Sequence, residues 1–353
     1  LAATPLPTGA LPPPSPPEAV LTEGAHLIVA GPEGGTLVHW AAALVPAMQG
    51  ALPPGTRLTI ETLGAADGVT GANRFGARAA PDGLSLLLAP GEAVIDWLVG
   101  ESRIQFDAGH WVGVLAGMTP AVVMGRAGTD GLALPAMPPG HPAKPGPRAL
   151  RVAAGAPNSP DLALEIALSL LGIAMVPVFG IQGPEAQRAA FAAGQVDVVL
   201  LRGHQVPAQV TALRAAGAVP SFSLGAIDAQ GRAVPDPDFP SLADFPALYT
   251  QRMGHAPVGP LFDAWIAMAL AARLEFAMVL PQLTPAALVA LWRRAGAQAA
   301  GALPVQARAE PLGVRILGEV AGTTAIARLS PDATALLALR GWLARQEARA
   351  PRR

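Results

Sequence analysis

LGAADGVTGANRFGARAAPDGLSLLL (63–88) is the stretch on which the reading of the fold turns. Gly64, Gly68 and Gly71 fall within eight residues. Glycine loses the most conformational freedom on folding, so such a cluster is costly unless the backbone bends tightly or lets another group come close. The stretch then enters a short alanine-rich helix, NRFGARAA (73–80), and turns at Pro81-Asp82-Gly83 into the apolar strand LSLLLAP (84–90). The turn residues suit that geometry, and we read this turn as structural.

Working outward, the same alternation recurs. HLIVAG (26–31) reads as a strand, PEGGT as a glycine turn and LVHWAAALVPAM as a helix, with RLTIETLG (57–64) a second strand leading into the opening loop. Strands that alternate with helices predict a parallel α/β sheet. A strand at AVVMG (121–125) is followed by a proline- and glycine-rich surface excursion, 128–150, after which the pattern restarts. The restart comprises RVAAGAP (151–157), LALEIALSLLG (162–172), AMVPVFG (174–180), PEAQRAAFAAG (184–194), QVDVVLLRG (195–203), QVPAQVTALRAAG (205–217) and VPSFSLGAI (219–227). This second α/β unit is about a hundred residues long, an ordinary domain size. Beyond it we read helices around 260–280 and 284–299, a strand at GVRILG (313–318) and a terminal helix over 330–347. With so few strand signals, the last 130 residues are expected to pack back on the first unit, making domain one discontinuous: 22–120 plus 226–353, around a domain two of 121–225. Residues 1–21 hold seven prolines and read as a poorly ordered leader or tether.

Composition narrows the function. In 353 residues the net charge is −1 and only 14% of residues are charged, which argues against a nucleic-acid surface. The absence of cysteine excludes disulfides, thiolate metal sites and a cysteine nucleophile. The most apolar stretch, 264–280, carries Arg273 and Glu275 and is too short and interrupted to span a bilayer. We therefore expect a soluble mature chain, and a start at Leu1 suggests a leader removed before it. No Gly-x-Ser-x-Gly elbow, His-Glu-x-x-His or Gly-x-x-x-x-Gly-Lys motif is present, and the six histidines are scattered, which leaves no enzyme or metal-site signature.

PEGGT after the first strand, then GAADGVTGAN, then APDGLSLLL resemble, in order and spacing, the Bug-type (TctC-like) receptors, the extracytoplasmic solute-binding proteins of tripartite tricarboxylate transporters. FDAGHWVGVLAGMTPAVVM (106–124), NSPDLALEIALSLLGIAMVPVFG (158–180), AGQVDVVLL (193–201) and DPDFPSLADF (236–245) follow that family's later segments, so the resemblance covers roughly 24–300. It implies an α/β, two-lobed fold like the type II periplasmic binding proteins, closing over a small organic carboxylate. It also implies a periplasmic monomer without cofactor, working with membrane transporter subunits and not itself membrane-embedded. A solute sensor acting with a signalling partner, or less readily a hydrolase or transferase whose site assembles only in three dimensions, are the alternatives.

The resemblance also suggests where the ligand sits. A carboxylate can be held by backbone N–H groups at a helix N-terminus, where free donors and the helix dipole favour negative charge. Gly34, Gly35 and Thr36 precede the first helix and Ala66, Asp67, Gly68, Val69 and Thr70 the second, so both loops are expected to face one cleft, with Gly68→Val blocking close approach of ligand. The competing reading is that these glycines only make tight turns, and Glu33 places a negative charge beside the proposed anion site. In domain two, Asn158 and Ser159 either cap a helix or donate to ligand. Gly180 and Gln182 follow a strand, and Arg202 ends one, as a bidentate carboxylate partner or a solvated charge. His204 reads as a surface or helix-start residue. The family's loop aspartate is Leu37 here, its middle triplet glycine gives way to Glu33, its serine-rich loop is Asn158-Ser159-Pro160-Asp161, and its tyrosine is replaced within Val178-Phe179. Loss of that aspartate is expected to disfavour amino-acid ligands.

Overall fold

The computed structural model describes Leu21, residues 24–126 and residues 149–349. Apart from Leu21, the proline-rich segment read at 1–21 lies outside the described residues, as does the excursion up to 148. The chain runs β1 (Ala25–Ala30), α1 (Thr36–Gln49), β2 (Leu58–Leu63), α2 (Val69–Arg78), β3 (Ser85–Ala89), α3 (Gly91–Val99) and β4 (Trp111–Met118). It continues through β5 (Ala121–Arg126), β6 (Leu150–Ala153), α4 (Leu162–Leu170), β7 (Met175–Val178), α5 (Gly183–Ala192), β8 (Val198–Arg202), α6 (Val206–Ala215) and β9 (Ala218–Ser223). After the short pair β10 (Ala226–Ile227) and β11 (Ala233–Val234) come α7 (Phe245–Met253), α8 (Pro260–Arg273) and β12 (Leu274–Pro281). The last elements are α9 (Ala286–Gly301), α10 (Leu303–Leu312), β13 (Arg315–Leu317), α11 (Glu319–Ala327) and α12 (Ala333–Arg349).

Two main sheets result. The six-stranded sheet has the order β13-β4-β12-β3-β1-β2 and the five-stranded sheet the order β7-β6-β8-β5-β9. β1 is parallel to β2 and β3, and its burial on both faces, at Leu27, Ile28, Val29 and Ala30, is what a sheet covered by helices on both sides requires. α1 buries Leu37, Trp40, Ala41, Leu44, Val45 and Met48, a stripe at helical spacing.

The sheets are not purely parallel. β12 runs antiparallel to β3 and β4, and β5 antiparallel to β8 and β9. The helix expected over 260–280 stops at Arg273, and the rest of that apolar run is the strand β12, buried inside the sheet. No glycine or proline marks the break. A fully buried strand and a buried helix share the same continuous apolar pattern, and only the slot between β3 and β4 separates them.

The chain passes directly from β4 into β5 through Thr119-Pro120, and so from one sheet to the other. There Arg273 is 5% exposed and ties the crossing together. Its Nε donates to the Thr119 carbonyl at 2.9 Å, its own carbonyl accepts from Thr119 N and Oγ1, and its Nη2 lies 3.1 Å from Asp236 Oδ2. The last contact is an ion pair without hydrogen-bond alignment. α4 follows β6 of the five-stranded sheet but packs among helices of the other, with Trp265 Nε1 donating to the Ala163 carbonyl and Trp342 Nε1 to Ser169 Oγ, both at 2.9 Å. One apolar cluster consequently holds Leu87 and Ala277 together with Val152, Leu200 and Phe222. Among the described residues no helix is long and apolar enough to cross a membrane.

The glycine cluster is explained by the protein's own packing. A Cβ on Gly68, whose φ is +74°, would lie 2.4 Å from Pro90 Cδ, and one on Gly71 would lie 2.6 Å from Ala30 Cα. α2 therefore sits against β1 and the end of β3 at a distance only hydrogen atoms permit. Gly68→Ala should lower stability by roughly 1–3 kcal/mol through left-handed strain and overpacking, read as a lower midpoint in urea. Asp236→Ala, which leaves Arg273 buried without its counter-ion, should cost roughly 3–5 kcal/mol in the same experiment.

Candidate functional site

Between the two sheets lies a cleft of two chambers that share Glu92 and Arg202 as a common wall. Arg202 comes from the end of β8 and Glu92 from the first turn of α3, and Arg202 Nη2 stands 3.4 Å from Glu92 Oε1. Both side chains are about a third or more exposed, at 34% and 41%. A contact that long and that open contributes little stability and is readily exchanged.

The smaller chamber, of about 320 Å³, is floored by Gly35, Thr36 and Leu37 at the start of α1. The residue before the helix is Gly35, which carries no side chain to close the first turn, and no acidic residue sits there. The first N–H groups of a helix have no intrahelical acceptor, so this end offers free donors and the positive end of the dipole. Opposite stand Arg202, Gly203 and His204. Glu275 lies beneath, its Oε1 accepting from Trp40 Nε1 at 2.9 Å and meeting His204 Nε2 at 2.9 Å, while Arg308 covers the Trp40 ring at 5.0 Å.

The larger chamber, of about 500 Å³, opens between α3 and the loops that precede α4 and α5. Asp67, Glu92 and Asp96 line it from one side, with Asn158, Ser159 and Asp161 facing them. Asn158 Nδ2 donates across the cleft to Asp96 Oδ1 at 2.6 Å, and Asp161 Oδ2 accepts from Gly155 N and Ser159 Oγ. Arg103 Nη1 pairs with Asp67 Oδ2 at 2.9 Å. Burial pushes the Asp96 and Asp161 carboxyls above their ordinary value, and the hydrogen bonds they accept only partly offset it. Behind Asp161, the buried Glu165 is pushed up to about 8 by burial and by the Asp161 charge.

Of the residues expected at the site, Gly35, Thr36 and Ala66 line the smaller chamber, Asp67, Asn158, Ser159 and Gln182 the larger, and Arg202 both. Gly34, Gly68, Val69, Thr70 and Gly180 line neither: Gly34 is exposed with Glu33, Val69 is 2% exposed in the core, and Gly68 packs on Pro90. Ser159 and Asn158 bond to carboxylates and do not cap α4, whose N-cap is Asp161. Residues not foreseen at the cleft are Glu92, Asp96, Asp161 and Glu275, together with Gln187 and Gln209. Glu92 had a signal, since Pro90-Gly91-Glu92 is a third strand-to-helix loop of the same kind as the other two. Glu275 had none, because it lies in the apolar run read as helix.

The sequence matches no protein-family model, and no curated protein matches it. Solved structures do match. A TctC solute binding protein from Polaromonas, with no ligand, is 14% identical, covering 92% of this chain and 98% of its own, with a TM-score of 0.64. MatC from Rhodopseudomonas palustris with bound malate is 19% identical over 91% and 97% of the two chains at a TM-score of 0.48. The periplasmic binding protein BugD is 16% identical over 93% and 97% at 0.47. The likeness to the Polaromonas protein is one of fold. The chain has the α/β, two-lobed fold of a TctC-type solute-binding protein.

The His204–Glu275 contact carries a pH dependence. The hydrogen bond to Glu275 raises His204 above 6.5 against the opposing effect of burial. Burial pushes Glu275 up, but the bonds from His204 and Trp40 and the charges of His204 and Arg308 outweigh it and leave the carboxyl below 4.5. A raised imidazole stabilises below its unfolded value and loses that contribution as pH rises through its folded value, while a lowered carboxyl loses its contribution as pH falls through its folded value. The Tm advantage of the unaltered protein over His204→Gln should therefore be greatest between pH 4.5 and 6.5 and fade on both sides, as melting curves across pH will show.

Proposed function

We propose that the chain is an extracytoplasmic solute-binding receptor that captures a small organic carboxylate between its lobes and presents it to a membrane transporter of the tripartite tricarboxylate kind. On this reading it is a periplasmic monomer that binds and releases its ligand without chemistry or cofactor. Its lobes are 22–120 plus 226–353 and 121–225. The fold shared with the Polaromonas protein supports the class.

One observation carries the carboxylate. Arg202 stands across the smaller chamber from the uncapped start of α1, and its guanidinium meets Glu92 in a contact of 3.4 Å. A carboxylate entering there meets free backbone donors at Thr36 and Leu37 on one lobe and a planar guanidinium fork on the other. Exchanging Glu92 for such a partner gives Arg202 a charge-assisted, two-pronged bond in place of a loose one. The ligand then bridges the lobes, which is what couples binding to closure.

A thermal-shift screen of mono-, di- and tricarboxylates, aromatic acids and amino acids should give hits that stabilise the protein without being consumed. A ligand at about a hundred times its Kd adds ~2.7 kcal/mol. Arg202→Ala should weaken the best hit by about tenfold or more, equivalent to ~1.4 kcal/mol, while leaving the melting temperature of the free protein nearly unchanged. Unaltered affinity in that variant would reject this placement.

A further inference from the structure

We propose that the larger chamber receives a cationic nitrogen, so that the captured solute is a carboxylate bearing an ammonium or amidinium group at its far end. This rests on the carboxylate reading above and names the ligand class within it.

The hydrogen-bonding capacity left open in that chamber is weighted toward acceptors. Four side-chain amides line it; Gln182 has no side-chain partner among the described residues and can present either end, while the other three donate to the protein: Asn158 to Asp96 at 2.6 Å, Gln187 to the Leu200 carbonyl at 3.2 Å and Gln209 to the His204 carbonyl at 2.6 Å. Every one of those partners is an acceptor, which fixes each amide's orientation and leaves its oxygen without a donor. Gln209 Oε1 is buried with no hydrogen-bond partner. Asp161 is 5% exposed, and both of its bonds fall on Oδ2, so Oδ1 has no donor from another residue. Asn158 is exposed and water can serve its oxygen, but the buried acceptors on Gln187, Gln209 and Asp161 call for an N–H donor.

Charge points the same way. Among the described residues, four carboxylates, Asp67, Glu92, Asp96 and Asp161, line the chamber against one cation, Arg202. Arg103, from outside, reaches Asp67 at 2.9 Å and Asp96 at 3.9 Å, and Arg202 is engaged with Glu92. Asp161 has neither of them within ion-pair distance, and burial raises its pKa, as it does that of Asp96, with the Arg202 charge opposing part of the rise at Asp161 and the Arg103 charge part of it at Asp96. A ligand cation would offset that cost. A metal ion fits less well, since among the described residues no three His, Cys, Asp or Glu side chains converge to hold one. This proposal runs opposite to the expectation, drawn from Leu37, that amino-acid ligands are disfavoured.

Titration of the full chain with matched probes decides it: butyrate, succinate, 4-aminobutyrate and 1,4-diaminobutane, and their six-carbon counterparts hexanoate, adipate, 6-aminohexanoate and 1,6-diaminohexane. At one chain length or both, the amino acid should bind about tenfold tighter than the monoacid and the diacid. In Asp161→Asn, and separately in Asp96→Asn, the ratio of amino-acid to diacid affinity should fall toward unity; a ratio within one variant is insensitive to a partial loss of folded protein. A diacid or monoacid that binds as well as the amino acid overturns this inference and leaves the carboxylate reading standing, as does a ratio unchanged in both variants. Diamine binding without binding of any acid overturns the carboxylate reading and this proposal with it, and binding of none of the probes overturns this proposal and leaves the carboxylate reading to the wider screen.

Discussion

The buried guanidinium of Arg273 is the contact on which the two-lobed arrangement depends. Arg273 ends α8 just where the chain becomes β12, Thr119 is where it leaves one sheet for the other, and Asp236 lies beyond the return from β9. One side chain therefore joins both passages between the lobes to the strand that fills the centre of the larger sheet. Burial lowers its pKa while Asp236 and Asp238 raise it. A buried ion pair of this kind is weak evidence of net stability, because desolvation offsets its Coulomb energy. Its consequence is geometric: the crossing at Thr119 and the segment at Asp236 are both held against the end of α8.

Around that frame the cleft acquires two unlike halves from one repeated device, the strand-to-helix loop. At α1 the loop ends in Gly35 and leaves the helix N-terminus open. At α3 and α4 the same position is occupied by the chain's own carboxylates, Glu92 in the first turn and Asp161 at the N-cap. A helix N-terminus attracts an anion wherever one is supplied. Where the protein supplies its own, the surface that remains is negative. Arg202, between the halves, is the one lining cation that both chambers share.

Cross-cleft contacts show how closed this form is. Asn158 reaches Asp96, His204 reaches Glu275, and the Gln205 amide donates to the Leu312 carbonyl at 3.2 Å. Each joins the 121–225 segment to the rest of the chain, and each must part for the lobes to separate. The Arg202–Glu92 pair and His204 are partly exposed, so these polar contacts contribute little to stability, whereas the apolar cluster that α4 shares with α8 and α12 holds the two sheets together.

Local patterning determined the alternating strands and helices, the glycine loops at the starts of α1 and α2, and the restart of the pattern after residue 150, because propensity, turn chemistry and periodicity act over a few residues. The sequence also pointed to Gly35, Thr36 and Arg202 as residues that meet at the cleft, since strand-to-helix loops and strand ends gather on one edge of an α/β sheet. It did not reveal that the run at 264–280 divides into a helix and a strand, because a continuous apolar segment fits either structure until neighbouring strands offer it a slot. Nor did it reveal why Gly68 and Gly71 are glycines: the answer is Pro90 and Ala30, distant in sequence and in contact only after folding. The acidity of the larger chamber belongs to the same category. Asp67, Asp96 and Asp161 are spread over ninety-five positions of a nearly neutral chain, and only the tertiary structure sets them around one cavity, where burial turns scattered charges into a local field.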